Sequence, residues 1–339
     1  MKILYCVQLT GNGHITRANE LIPEFKKVAD VDILTSGNQN SLEIKHKVRY
    51  NYRGISFVFG LKGGIAIFKT IINFRPFTFL KDIFTCPVRN YDLIINDFEP
   101  VSAWACKING MSCYSMSHQY SLIYKNNFPT KNNNFFQYLI LKYFAPSKNG
   151  IGFDYMNNNL DIFYPIIKYQ FRLKKFIEEN HYIIYLPSYS IENIYSFFSK
   201  INNVKWIVFS PKITIRMRQN NLDFFPTDYK VFENSMLSCK GVVTNAGFET
   251  TSEALHLGKK LLVLPIKNQF EQKYNALILK EMGIKILEDL NSERLGFVKD
   301  WVISKKFIER NYNYDYKLII RKTLLDHDKT KNPSNKMGF

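Results

Sequence analysis

At 339 residues the chain has room for two separately cored domains, and its 46% hydrophobic and 22% charged residues are the proportions of an ordinary globular protein. No run of about twenty apolar residues occurs, which excludes a membrane-spanning helix. The formal charge of +17 calls for anionic partners: nucleic acid, an acidic lipid surface or phosphorylated substrates.

In chain order, Ile3–Leu9 reads as a first strand, too short for a signal h-region and without a cleavage site. Thr10-Gly11-Asn12-Gly13-His14 is a turn, and Ile15–Val28 a helix with Ala18, Leu21, Ile22 and Phe25 on its apolar side. Val31–Leu34 is a second strand, completing a βαβ opening. Gly54, Gly60, Gly63 and Gly64 then break the pattern. Residues 65–84 mix Phe68, Phe74, Phe77, Phe79 and Phe84 with Lys69, Arg75 and Lys81. They read either as buried helices at a domain edge or as a basic, aromatic surface for lipid headgroups, with Pro76 preventing one continuous helix.

Leu93–Asn96 is a strand running into Asp97-Phe98-Glu99-Pro100, Val101–Lys107 a helix, and Ser112–Ser117 a strand ending at His118-Gln119. Residues 125–134 read as a polar loop, 135–144 as a helix, and 171–180 as a charged helix or linker. The strand-helix rhythm restarts with Ile183–Leu186, Ile191–Phe198 and Trp206–Phe209. It continues through GVVTNAGFETTSEALHLGKKLLVLPIKNQFEQKYNA at 241–276 and closes with Ile284–Leu287. Two such series predict an α/β protein of two Rossmann-like parallel-sheet domains facing a cleft. Residues 328–339 read as a frayed tail. Cys6, Cys86, Cys106, Cys113 and Cys239 are scattered, odd in number and without a CxxC pair, so they read as reduced core residues.

Parallel sheets bind ligands beyond the carboxyl ends of their strands, so the chemistry is sought there. Glycines before a helix let backbone approach a ligand, and a helix N-terminus favours an anion. Gly11-Asn12-Gly13-His14 fails the dinucleotide fingerprint GxGxxG, because Thr16 occupies the third glycine position. His14 at the helix start is either a general base or a capping or exposed histidine. Asp97, at the end of a strand beside the first, either holds the other nitrogen of His14 or caps the next helix, as Glu99 could. In the second half, Gly247, Thr250 and Thr251 sit at a helix start suited to phosphate. Glu253 suits vicinal ribose hydroxyls, and Glu271-Gln272 suits sugar hydroxyls. One loop for phosphate and one for sugar is the layout a nucleotide-sugar requires.

These residues carry a family resemblance. Asn245-Ala246-Gly247-Phe248-Glu249-Thr250-Thr251-Ser252-Glu253, followed by Glu271-Gln272, resembles the donor signature of GT-B glycosyltransferases. Plant-type UDP-sugar transferases have it as an HCGWNSTLE run and a later (E/D)Q pair. The chain is also similar to the bacterial transferase that adds N-acetylglucosamine to the peptidoglycan lipid intermediate. Gly13-His14-Ile15 resembles the family's GHI element, and Asn96-Asp97-Phe98-Glu99-Pro100 with Trp104-Ala105 the segment bearing the partner aspartate. TGNGHITRA and DFEPVSAWA together are most similar to a bacterial and archaeal group of unassigned acceptor.

The resemblance implies His14 and Asp97 as the catalytic pair. Gly13, Asn245, Gly247, Thr250, Thr251, Glu253, Glu271 and Gln272 become donor contacts, and Glu99 and His118 acceptor-side candidates. Asn245 stands where the family has a phosphate-binding histidine and Glu249 where it has an asparagine. The family's base-stacking tryptophan is absent, and Phe232 is the candidate substitute for it. The implied domains are 1–168 on the acceptor side, 169–312 on the donor side, and 313–339 as a helix or tail packing back on the first.

The resulting expectation is an inverting, metal-independent transferase without a cofactor, moving a sugar from a nucleotide-sugar, with UDP as nucleotide, to a hydroxyl acceptor. Charge and residues 65–84 point to a lipid-linked or cell-envelope acceptor and to a cytoplasmic protein in peripheral contact with the inner face of an anionic membrane. Nucleic acid is not an expected partner, because the basic residues are spread along the chain. Asp326-His327-Asp328 reads as a chance DxD, outside any βα turn. The rival readings are a nucleotide-sugar 2-epimerase of the same fold and a non-catalytic nucleotide-sugar-binding protein.

Overall fold

The computed structural model describes residues 1–37, 42–55, 74–124, 135–156, 159–173, 178–267 and 269–331. They form two compact units. The described residues of Met1–Ser56, Ile72–Ile166 and Asn313–Phe339 make the first, and those of Ile167–Tyr312 make the second.

The first unit is a seven-stranded sheet. Its strands are β1 (Lys2–Gln8), β2 (Asp30–Ser36), β3 (Tyr50–Tyr52), β4 (Leu93–Asp97), β5 (Tyr114–Ser117), β6 (Asn149–Phe153) and β7 (Ile162–Phe163), in the order β3-β2-β1-β4-β5-β6-β7. Every pairing is parallel. Helices cover a parallel sheet on both faces, so its central strands read as unbroken apolar runs. Accordingly Ile3, Leu4, Tyr5, Cys6 and Val7 are all fully buried. The helices are α1 (Asn12–Lys26), α2 (Pro76–Thr85), α3 (Pro100–Ile108), α4 (His118–Tyr124) and α5 (Phe135–Phe144).

The second unit repeats the plan. A four-residue helix α6 (Tyr169–Arg172) precedes β8 (His181–Tyr185), α7 (Ile191–Phe198), β9 (Lys205–Phe209), β10 (Met217–Gln219), β11 (Leu222–Phe225), α8 (Tyr229–Ser238) and β12 (Gly241–Thr244). Then come α9 (Phe248–His256), β13 (Lys260–Val263), α10 (Phe270–Glu281), β14 (Lys285–Ile286) and α11 (Leu295–Ile303). The strand order is β10-β11-β9-β8-β12-β13-β14, parallel except for the β10–β11 hairpin. Trp206 anchors the core here, packed against Tyr182 and Phe198. The last helix, α12 (Lys317–Lys331), belongs to the first unit, where the Tyr114 hydroxyl donates to Asp326 at 2.8 Å.

Several local expectations change. Helix α1 starts at Asn12, so His14 lies in its first turn, and Gly11 makes the entry at φ 108°, a conformation open mainly to glycine. The strand expected at 112–117 begins only at Tyr114, and His118 opens a helix. No helix fills 178–180, and residues 174–177 lie outside the described part. Residues 328–331 are helical rather than frayed, because the preceding turns of α12 are tied to the sheet. The polar loop at 125–134 and residues 65–73 of the aromatic segment lie outside the described residues. The β10–β11 hairpin was not expected. Its signal is the Asn220-Asn221 pair, with Asn220 at φ 52°, but Met217–Gln219 is wholly exposed and carries no apolar alternation.

Gly241 shows how closely the second sheet is packed. A Cβ there would meet the Lys260 carbonyl and the Tyr182 ring at 2.9 Å. Gly241→Val is therefore expected to cost roughly 1–3 kcal/mol, read as a lower denaturation midpoint with an unchanged slope.

Candidate functional site

Both sheets reverse their strand order at one point, and the sequence motifs lie at those two points. In the first unit the reversal falls between β1 and β4, where Val7 pairs with Asp97. Glycine turns the chain out of β1 and the first turn of α1 brings His14 over the end of β4. His14 Nδ1 lies 2.7 Å from Asp97 Oδ1. Arg17, one turn further along α1, donates from Nε to Asp97 Oδ2 and from Nη2 to Oδ1, both at 2.8 Å. All three side chains are buried.

The partners assign the proton. Two lone pairs would repel at 2.7 Å, so Nδ1 carries the hydrogen and donates to Oδ1, leaving Nε2 as the basic nitrogen. The 3.2 Å approach of Arg17 Nη2 to Nδ1 follows from both groups donating to the same oxygen. Burial pushes the Asp97 carboxyl up, but the Arg17 guanidinium and then His14 outweigh it and hold it below the ordinary carboxylate value. Phe98 follows in the left-handed region at φ 54°, which costs a bulky residue about 1–3 kcal/mol. Its ring stacks on His14, with centroids 6.2 Å apart, and on Phe144 at 4.9 Å.

The two acceptor-side candidates are built into the framework, which corrects their assignment. Glu99 is fully buried and caps α3, accepting from the Val101 and Ser102 amides at 2.7 Å. It also accepts from the Ser36 and Ser102 hydroxyls. Of the two carboxylates that could have capped this helix, Glu99 does so and Asp97 does not. His118 is buried, with Nδ1 2.7 Å from the Phe153 carbonyl, so it ties α4 to β6.

In the second unit the reversal falls between β8 and β12. Asn245 bridges it, accepting from the Ser188 hydroxyl at 3.1 Å and donating to the Leu264 carbonyl at 2.7 Å. The Ala246 peptide is clamped from α10, since Gln272 accepts its N–H at 3.1 Å and Asn275 donates to its carbonyl at 2.9 Å. Gln272 also accepts from the Ile266 amide at 2.9 Å, so one side chain holds both loops.

Gly247 is the N-cap of α9, at φ −72° and ψ 131°, and a Cβ there would meet nothing within 4 Å. Neither backbone conformation nor packing asks for glycine at this place. What the missing side chain leaves is open backbone at a helix start, the arrangement that admits an anion. Thr250 is half-buried beside it, and Glu271 is half-buried in the first turn of α10. Thr251 is corrected: it is fully buried, and its hydroxyl donates back to the Gly247 carbonyl at 2.8 Å. Phe232 is corrected too, since its ring packs on Tyr185 and Phe209 in the aromatic core.

Glu253 faces a buried cation. Lys168 Nζ lies 2.9 Å from it and 3.3 Å from Glu233, over the Tyr229 ring at 4.4 Å. Burial pushes the Glu253 carboxyl up to about 7, with Glu233 and Glu249 adding to the rise and Lys168 opposing it. Lys168 stays charged because Glu253, Tyr229 and Glu233 together overcome its desolvation. Among the described residues no group of three or more His, Cys, Asp or Glu is placed to hold a metal ion. Asp326 of the DxD run is engaged by Tyr114 and by Lys322 at 2.6 Å.

A family profile described as glycosyl transferase family 1 matches residues 1–302. The chain belongs to glycosyl transferase family 1. Solved structures align with this glycosyltransferase over nearly its whole length. The Arabidopsis thaliana protein UGT89C1, complexed with quercetin, aligns at TM-score 0.58 and 12% identity, covering 99% of this chain and 96% of that one. The Streptomyces sp. SF2575 glycosyltransferase SsfS6, complexed with thymidine diphosphate, aligns at 0.58 and 10%, covering 90% and 92%. A UDP-N-acetylglucosamine 2-epimerase aligns at 0.58 and 12%, covering 97% of each chain. The likeness to these structures is one of fold, the GT-B arrangement of two parallel-sheet α/β domains. A sequence search of curated proteins gives no match.

Four residues of this glycosyltransferase's candidate site were given no role by the motifs: Arg17, Phe98, Lys168 and Asn275. Arg17 and Asn275 each stand three places after a motif residue on a helix, so the face-sharing i,i+3 rule would have found them. Nothing local marks Lys168, which reaches Glu253 only through folding. The raised Glu253 pKa sets a sign for stability against pH. Its contribution is fully present below the unfolded value of 4.5 and is lost as pH rises through about 7. Melts between pH 5 and 8 should therefore show a loss on the order of 2 kcal/mol in the wild type that Glu253→Gln flattens.

Proposed function

We propose that the chain is an inverting glycosyltransferase using His14 as general base and a nucleoside diphosphate as leaving group. The observation that carries the reading is the 2.7 Å contact between His14 Nδ1 and Asp97 Oδ1 at the first sheet's switch point. It leaves Nε2 to take the proton of an acceptor hydroxyl. The oxygen then bonds to the anomeric carbon from the face opposite the phosphate, the bond to the phosphate oxygen breaks, and the diphosphate carries off the electron pair. The sugar passes through an oxocarbenium-like state, as in glycoside hydrolysis.

The leaving diphosphate goes to the N-terminal amides of α9 at Gly247, with the Thr250 hydroxyl beside them. Fixed dipoles of this kind stabilise developing charge without a metal ion. Glu253 takes the ribose hydroxyls, exchanging Lys168 for them, and Glu271 and the Gln272 amide take those of the sugar. Favouring transfer over the epimerase reading is family membership, together with a base held by its own aspartate. Uracil and thymine are both open as the base, since Phe232 lies in the core and no tryptophan stands in its place. A base contribution of ~10²–10⁴-fold is expected. His14→Ala should therefore lose that much turnover while a nucleotide-sugar still raises its melting temperature. A panel of UDP- and TDP-sugars identifies the donor by the largest rise, and turnover of His14→Ala at the wild-type rate would sink the base assignment.

The acceptor we propose is lipid-linked, at the surface of an anionic membrane. No helix among the described residues is long and apolar enough to cross a membrane, so contact would be peripheral. Helix α2 supports this, because its apolar stripe points outward. Phe77 is 86% exposed, Phe84 72%, and Leu80 lies between them, with exposed Arg75, Lys81 and Arg89 around the stripe. Positions i, i+3 and i+7 share a helix face, and an apolar stripe rimmed by cations suits a headgroup layer. Wild-type protein should pellet with phosphatidylglycerol vesicles at low salt, and Phe77→Ser/Phe84→Ser should not. Equal pelleting of the two forms would remove the proposal.

A further inference from the structure

Arg17 is buried in the first unit with its guanidinium over the Phe153 ring at 5.3 Å, and its Nε and Nη2 both donate to one carboxylate, that of Asp97. It approaches Asp97 through Nε and Nη2, the edge that makes two near-parallel bonds and fixes the carboxylate in one rotation. A lone hydrogen bond to His14 would leave that carboxylate free to turn about its bond to Cβ. The fork also matches the Asp97 charge with a group that does not lose its proton. The aspartate is then not reserved for a protonated imidazole, and its part is orientation.

We propose that Arg17 is a positioning residue of the transfer site: its fork sets Asp97 Oδ1 against His14 Nδ1 and so selects the tautomer in which Nε2 is basic. The inference rests on the reading of His14 as the base. The ring nitrogen that carries the proton is set by the bond its partner offers, and here the partner is itself held by Arg17. Three residues, not two, then define the base. Two of them, His14 and Arg17, share one turn of α1.

The test is the tautomer of His14 in full-length ¹⁵N-labelled protein, read from long-range imidazole correlations. His14→Gln identifies the signal among the six histidines. Wild type should show the Nδ1–H pattern. In Arg17→Gln the ratio of Nδ1–H to Nε2–H should fall about five- to tenfold, the equivalent of losing one hydrogen bond. Arg17→Lys keeps the charge but loses the fork, and should recover part of the ratio. It also serves if the glutamine variant does not fold. A purely structural Arg17 would lower the melting temperature in both variants and leave the tautomer untouched, which overturns the proposal. Release of nucleoside diphosphate from UDP-glucose, UDP-N-acetylglucosamine and TDP-glucose separates the two ideas. Full release by His14→Ala removes the base reading and this inference with it. Release lost in His14→Ala, with an unchanged tautomer in both Arg17 variants, removes the positioning role alone.

Discussion

The reversal of strand order in each parallel sheet is the constraint on which the rest depends. At such a point the chain leaves neighbouring strands in opposite directions, so no loop crosses the gap above their carboxyl ends. Between β1 and β4 the gap receives His14 from a helix start and Asp97 from a strand end. Between β8 and β12 it receives Asn245 and the N-cap of α9 at Gly247. On the proposed reading, the same geometry serves proton transfer in one unit and anion binding in the other. The difference lies in which side chains the loops carry.

Each site sets a buried carboxylate against a cation to which the motifs assign no role. Asp97 has Arg17, which cannot give up its proton and binds both oxygens, so the aspartate remains a fixed anion. Glu253 has Lys168, a point charge shared with Glu233, so burial wins and the carboxyl rises. The two arrangements suit different duties. A group that orients a histidine should not titrate or turn, whereas the proposed exchange of a lysine for sugar hydroxyls needs a partner that can be released. Phe98 adds a further cost, since the left-handed backbone that aims Asp97 at His14 also turns Glu99 inward to cap α3.

Much of the fold was legible in the chain. The continuous apolar runs at Ile3–Val7, Leu93–Ile95 and Val242–Val243 could only be strands covered on both faces, and glycine or asparagine at their ends marked the turns. The hairpin at Met217–Phe225 was not legible, because an exposed edge strand has no burial to impose alternation. At the site, residue type was a good guide and direction was not. Thr251 has the right hydroxyl at the right helix start but bonds back to its own helix, and Glu99 has the right charge but no path to a ligand.

By itself, the sequence determined the two repeated α/β units, the places where their loops open, and the pairing of His14 with Asp97 as a possibility. These follow from periodicity and from neighbouring residues, which are local properties of a chain. Only the tertiary structure decided that Asp97 holds His14 while Glu99 caps the helix, and that Arg17 and Lys168 supply the matching charges. Those outcomes depend on which buried groups meet across distant segments. Burial makes every unpaired charge costly, and the folded contacts alone settle which partner answers it.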